Sequence, residues 1–472
     1  MKQIIFHRIS LLLTVFFAVV WTATLASEGY RIKIRVEGQA DTECYLAYHF
    51  GNRQYLKDTA YVNLSGEAVF QGLERLTPGI YLVVLEDDIN FELIIDENQF
   101  FELSVDPADP VASVQFVDSP ENIEFYAYIR FLRGKGAERQ ALERELNAGD
   151  LPPARQTAIR QRLQTLDAEV TARQDEIIEK NPDALLSRII LGQRDPEMPD
   201  PPLLPDGSPD RARMYQIYKK HFFDNIDFSD DRILQTPVYH SRLRIFFNNV
   251  LMQIPDSIIK EADRVIEKSR ANEEMFRYTV WFITNNAESS PVMGMDAVFV
   301  HMVENYYVTG EVDWLDEERR QRIIQRAMEM KPLLLGKVAP DISIYDPDGN
   351  ALVLHEVEAA YLILYFWDSE CVFCRKATPV IEAAYENLRD RGVRVFSVNT
   401  EADADKWRNV IAGHKHNWYH GNDPENESGF RDKYNIFAIP KIFVLDAEKR
   451  IIAKDIGAEH LEQFLLQHMA TH

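Results

Sequence analysis

Two of the chain's three cysteines stand as Cys371-Val372-Phe373-Cys374, the residues whose type and spacing point most directly to chemistry. An apolar run from Tyr361 to Phe366 leads into them through Trp367-Asp368-Ser369-Glu370, and the residues from Arg375 onward follow a helical pattern. A strand that delivers C-x-x-C to a helix start makes a thiol reactive, because unpaired N–H groups and the positive dipole end favour a negative sulfur. Cys371 is then the attacking thiol, and Cys374, about one turn on, is placed to close a disulfide and release a bound partner. The motif also reads as half of a zinc site, which needs two further ligands. His414, His416 and His420 invite that reading, but they sit in a polar stretch with no second cysteine pair. Redox chemistry without a metal or cofactor is expected. Cys44, in Glu43-Cys44-Tyr45-Leu46, reads as a small buried hydrophobe on a strand, with a redox role as the alternative.

The elements that must position this motif occupy a chain of 472 residues, too long for one core, so about three domains are expected. With 46% apolar and 27% charged residues the composition is globular, and a net charge of −23 with no basic patch argues against a nucleic-acid partner. Lys2, His7 and Arg8 precede an apolar run from Ile9 to Trp21, and Thr24-Leu25-Ala26 resembles a cleavage site. Residues 1–26 are therefore expected to be an export signal, short for a membrane span, with a retained anchor as the alternative. Residues 27–118 read as short strands punctuated by Ser65-Gly66, Pro78-Gly79 and Asp106-Pro107, the pattern of an all-β sandwich-like domain. Residues 119–332 read as an all-α domain. Four pairs there, Ser119-Pro120, Asn181-Pro182, Thr236-Pro237 and Ser290-Pro291, look like helix starts with a capping side chain and proline at the first position. Residues 333–472 alternate strand and helix, the pattern of an α/β domain.

Ile439-Pro440 stands just before the strand at Lys441–Leu445, and a proline at a strand head suits a special bend such as a cis bond. With Ala339-Pro340-Asp341, Phe366-Trp367, the two cysteines, Tyr434-Asn435-Ile436 and Leu445-Asp446, this region resembles the thioredoxin superfamily. More closely, it is similar to the TlpA/ResA-like exported bacterial thiol–disulfide oxidoreductases. The resemblance implies a thioredoxin-like C-terminal fold. It implies catalysis by Cys371 and Cys374, and contact with a protein substrate at Trp367, Ile439 and Pro440. It also implies a periplasmic location, exported partners carrying cysteines or disulfides, and a membrane electron donor. The upstream domains carry no catalytic constellation and read as a scaffold, with protein contacts as the functional alternative. The chain departs from the family at three positions: Tyr365 replaces a buried acid six residues before Cys371, Ala377 replaces a glutamate three residues after Cys374, and Glu370 replaces the usual tryptophan just before the motif. Two other functions compete. A peroxidase would carry P-x-x-x-T-x-x-C, but Leu364 and Asp368 occupy the corresponding positions. A non-enzymatic binding protein would use the thioredoxin-like domain as a scaffold.

Overall fold

A computed structural model describes residues 29–149, 151–413 and 417–471; the expected signal segment, His414 and His416 lie outside them. The described residues up to Phe246 form one compact unit and those from Phe247 a second.

The first unit opens with eight strands: β1 (Tyr30–Val36), β2 (Thr42–Phe50), β3 (Arg53–Val62), β4 (Glu67–Gly72), β5 (Gly79–Val84), β6 (Asn90–Ile95), β7 (Phe100–Val105) and β8 (Gln115–Val117). They form two four-stranded sheets, ordered β4-β1-β7-β8 and β3-β2-β5-β6. In β1 the alternation of Ile32, Ile34 and Val36 with Arg31, Lys33 and Arg35 sends one set inward and leaves the other wet or at the rim. Helices follow at Pro120–Asn147, Pro153–Lys180, Leu185–Gln193, Arg211–His221 and Val238–Ile245.

The segment expected to be helical, 119–332, is helical, and the division between the two units falls inside it at Phe246/Phe247. Polar side chains tie the helical residues before that division to the sheets. The buried Asn122 side chain donates to Ile94 O (2.7 Å) and accepts Ile94 N–H (2.8 Å), completing the edge of β6. Arg232 pairs with Asp96 at 2.8 Å. The helices up to Ile245 fall in the first unit with the sheets, and the helices Pro255–Ser269, Glu273–Glu288, Asp296–Met302 and Glu317–Met330 fall in the second. Proline marks helix starts unevenly. Pro120 begins a helix, but Ser119 Oγ accepts the Asn122 side chain (2.9 Å) instead of capping a backbone N–H. Thr236 Oγ1 accepts Val238 N–H at 3.2 Å. After Asn181-Pro182 the helix waits until Leu185, and Ser290-Pro291 forms a turn in which Ser290 Oγ accepts Val292 N–H (3.2 Å).

The second unit ends in a seven-stranded sheet made of β9 (Ser343–Tyr345), β10 (Ala351–Val353), β11 (Tyr361–Trp367), β12 (Val393–Asn399), β13 (Tyr419–Asn422), β14 (Lys441–Asp446) and β15 (Ile451–Lys454). The order is β10-β9-β13-β12-β11-β14-β15, with β11, β12 and β13 parallel. Because strand side chains alternate, β11 supplies two cores. Ile363, Tyr365 and Trp367 pack with the helices Val372–Leu388, Ala404–Ile411 and Ala458–Thr471. Leu362, Leu364 and Phe366 pack on the other face with Phe430, Tyr434 and Ile344. The continuous apolar run that marks β11 in the sequence is thus the signature of a strand covered on both faces. Strand β13 has no such signature and reads as a polar loop. Gly421 is required in it, since a Cβ there would sit 2.3 Å from Ile344 Cδ1.

Candidate active site

At the C-terminal end of β11, Asp368 turns the chain: its carboxylate accepts Glu370 N–H (2.7 Å) and its carbonyl accepts Cys371 N–H (3.3 Å). Cys371 is the N-cap of the helix Val372–Leu388, and its Sγ accepts the N–H of Cys374 at 3.1 Å. Through this contact a helix start can hold a sulfur anion. As a thiol, Cys371 donates to Ile439 O at 3.6 Å, across from the Ile439–Pro440 peptide bond, which is cis. Cys371 is half-buried; Cys374, one turn into the helix, is fully buried, and both are free thiols.

Burial, then the hydrogen bond with Cys371, pushes the Cys374 thiol up to about 12. Near neutral pH this sulfur is therefore protonated and must lose a proton before it can attack. Neither position to which the resemblance assigns an acid supplies one. Tyr365 is buried, and burial holds its phenol well above the usual tyrosine range. Its hydroxyl donates to Cys374 O (3.3 Å) and pairs with Thr378 Oγ1 (3.0 Å), which itself donates to Cys374 O at 2.9 Å. Tyr365 and Thr378 thus secure the first helical turn by its carbonyl, while Ala377 puts a methyl group into the same core.

A buried carboxylate does lie behind the motif, two residues past the end of β12. Glu401 is 7% exposed and accepts from Ser369 Oγ (2.5 Å), Asn399 Nδ2 (3.0 Å) and Lys406 Nζ (3.2 Å). Burial alone would raise its carboxyl, but these hydrogen bonds outweigh burial and hold it below the ordinary value. Lys406 also reaches Glu370 at 2.6 Å, and Asn422 Nδ2 donates to Glu401 O at 2.9 Å. The turn that presents Cys371 is thereby tied to the ends of β12 and β13. The signal for this cluster was available: residues following parallel strands gather at one sheet edge, so 368–370 had to meet 399–401. That Glu401 would be the buried partner was not legible. Glu401→Ala is expected to leave Ser369 and Asn399 without their acceptor. It should loosen the 368–370 turn and slow alkylation or exchange at Cys371 about tenfold, with Glu401→Gln retaining most of the rate. Timed alkylation of the reduced protein checks this.

The structure brings together four of the five residues expected at the site, Cys371, Cys374, Ile439 and Pro440, and moves the fifth. Trp367, expected to contact a substrate, is 4% exposed, and its indole N–H donates to Ser397 Oγ at 2.7 Å. It lies on the inward face of β11 and stacks on Tyr365, so it supports the site from beneath. The exposed apolar side chains of the motif itself are instead Val372 and Phe373, the latter 70% exposed. Cys44 is buried on β2, its Sγ donating to Ala60 O (3.5 Å). Burial, then the Asp58 charge, pushes its thiol up to about 11, the setting of an inert cysteine.

Residues 359–451 match the family model described as thioredoxin-like, and residues 157–330 match a domain of unknown function, DUF5106. A thiol-disulfide oxidoreductase ResA of Bacillus cereus is 21% identical over 135 residues, covering 29% of this chain and 77% of that protein. A solved thioredoxin-like protein from Bacteroides caccae is 20% identical and covers 57% of this chain and 98% of that one, with a TM-score of 0.46. A domain described as a possible thiol-disulfide isomerase from Cytophaga hutchinsonii is 39% identical and covers 30% of this chain and 96% of that one, with a TM-score of 0.28.

Proposed function

On the premise that the C-terminal region of this chain is a thioredoxin-like domain similar to thiol–disulfide oxidoreductases, we propose that it reduces disulfides in protein substrates through Cys371 and Cys374. The observation that carries this reading is the asymmetry of the two sulfurs. Cys371 is accessible, accepts a helix-start N–H and faces Ile439 O, whereas Cys374 is buried one turn behind it. The Cys371 thiolate attacks one sulfur of a substrate disulfide. A new S–S bond joins Cys371 to the substrate, and the second substrate sulfur leaves as a thiolate that takes a proton from water. Cys374 then gives up its proton and attacks Cys371 Sγ. The substrate's first sulfur leaves, and a Cys371–Cys374 disulfide remains. Two electrons have passed to the substrate, and a dithiol donor, in our reading membrane-bound, returns them.

Ile439 and Pro440 border the attacked sulfur and serve as the substrate-facing edge. The reaction takes place outside the cytoplasm, where protein disulfides persist, and the upstream domains mediate contacts with other proteins. The test is capture. In Cys374→Ser, released into cells that make the natural substrates, mixed disulfides should accumulate on Cys371 and disappear on reduction. A variant that traps nothing, with a wild type inert toward a model protein disulfide, would sink the proposal and favour a scaffold role.

A further inference from the structure

Between the helices Leu185–Gln193 and Arg211–His221 the first unit carries the run Pro196-Glu197-Met198-Pro199-Asp200-Pro201-Pro202-Leu203-Leu204-Pro205. Prolines recur there at 196, 199, 202 and 205, a period of three. That is the repeat of a polyproline II helix, which aligns them as one ridge and leaves most carbonyls without internal partners. Residues 195–202 have no helix or strand, and all of 197–205 except Pro202 is exposed, Leu203 at 66%. At its tip the segment closes on itself, Leu204 N–H donating to Ser208 O (2.8 Å) and Asp210 N–H to Pro202 O (2.7 Å). At its root Asn225 Nδ2 donates to the carbonyls of Arg194 (3.3 Å) and Asp195 (3.2 Å), and Tyr218 donates to the Asp195 carboxylate (2.9 Å). The segment is a rooted arm that stands out from the surface.

The same unit holds a cleft of complementary chemistry. Tyr48 and Phe50 of β2, Tyr81 of β5, and Tyr55, Leu56 and Lys57 of β3 line a concavity of about 600 Å³. Three consecutive residues of a regular strand cannot face one cleft. Here the register passes from Leu46↔Asp58 to Ala47↔Leu56, so Lys57 is the extra residue of a β-bulge that turns the strand. Tyr48 stacks on Tyr55 at 5.5 Å, and neither hydroxyl has a hydrogen-bond partner among the described residues, which leaves both to donate to peptide carbonyls.

We propose that the arm 196–205 of one copy docks in the tyrosine cleft of a second copy, and that the reciprocal contact closes a two-fold dimer through the first unit. Proline ridges bind aromatic-lined grooves because the polyproline II form is already extended and loses little freedom on docking. Charge fits as well. Residues 195–210 carry Asp195, Glu197, Asp200, Asp206 and Asp210 and no lysine or arginine, whereas the cleft presents Lys57 and, among the described residues, no carboxylate. The occupant is a second copy because the arm is tied off at root and tip where it stands, and none of it lines the cleft of its own molecule. With each copy giving one arm and receiving one, the assembly closes at two. The proposal is independent of the disulfide-exchange reading.

The experiment is sedimentation of the full chain, in excess reductant so that no cysteine joins two copies. The wild type should show a monomer–dimer equilibrium, half-dimeric on the order of 10 µM, the range of a small interface with a low ordering cost. Tyr55→Ser in the cleft and, separately, Pro199→Gly/Pro202→Gly in the arm should each weaken dimerisation at least about tenfold. Lys57→Glu should weaken it too, and adding Glu197→Lys/Asp200→Lys to that variant should restore it, which damage to the fold would not allow. A wild type still monomeric at about 100 µM would overturn the proposal and assign the arm to its own molecule or to another protein. A dimer unmoved by both the Tyr55 and the proline variants would overturn it as well, by placing the interface on a different face.

Discussion

Cys371→Ser is expected to lower the rate of disulfide reduction by about a thousandfold or more, because serine at neutral pH offers no anionic nucleophile to a sulfur–sulfur bond. The measurement is release of thiol from a protein disulfide by the pre-reduced full chain. Cys374→Ser should differ in kind. Its first attack proceeds, the burst of mixed disulfide forms, and turnover then stops, because nothing remains to expel the substrate. The wild type should carry a second signature. Since burial pushes the Cys374 thiol up to about 12, the resolving step should quicken as pH rises. The gain should be about tenfold per unit for as long as that step limits turnover. A resolving rate indifferent to pH between 7 and 9 would mean that another group relieves Cys374 of its proton. Tyr365 is poorly placed for this, with its hydroxyl committed to the Cys374 carbonyl and Thr378.

Lys454→Met should destabilise the second unit by about 3–5 kcal/mol, the usual cost of stranding one partner of a buried ion pair. Lys454 and Asp296 have side-chain exposures of 9% and 11%, and lie 158 positions apart in sequence. They join the end of the edge strand to the start of the helix Asp296–Met302, and the same ammonium group holds Leu333 O. Removing the cation leaves Asp296 buried without its counter-charge and Leu333 O without its donor. The double variant Lys454→Met/Asp296→Leu should recover much of the loss, since apolar side chains of similar size remove both buried charges. Urea unfolding of the full chain, followed by tryptophan fluorescence, measures both. If the single variant lost less than about 1 kcal/mol, the pair would be behaving as a solvated surface contact.

Much of the site was legible because its signals are local. The spacing of Cys371 and Cys374 places one at a helix start and the other a turn later, whatever the rest of the chain does. The run from Tyr361 to Trp367 could only be a strand covered on both faces, and Pro440 before an apolar strand marked the bend opposite Cys371. The C-terminal domain was legible for the same reason, since each element carries its own periodicity. Strand β13 escaped because Tyr419-His420-Gly421-Asn422 has the composition of a loop. Its pairing comes from β12 on one side and β9 on the other.

What the sequence by itself determined is therefore the placement of the two sulfurs: which one caps the helix, which one lies a turn inside it, and which elements hold them. What only the tertiary structure decided is the surroundings. It turned Trp367 inward to Ser397 and set Glu401 beneath Ser369. It also divided the helices at Phe246 and brought Lys454 to Asp296. The physical reason is separation along the chain. Backbone geometry dictates who meets over one turn or one strand. Which of several equally polar or equally apolar side chains meet across tens or hundreds of residues is settled only when the cores close.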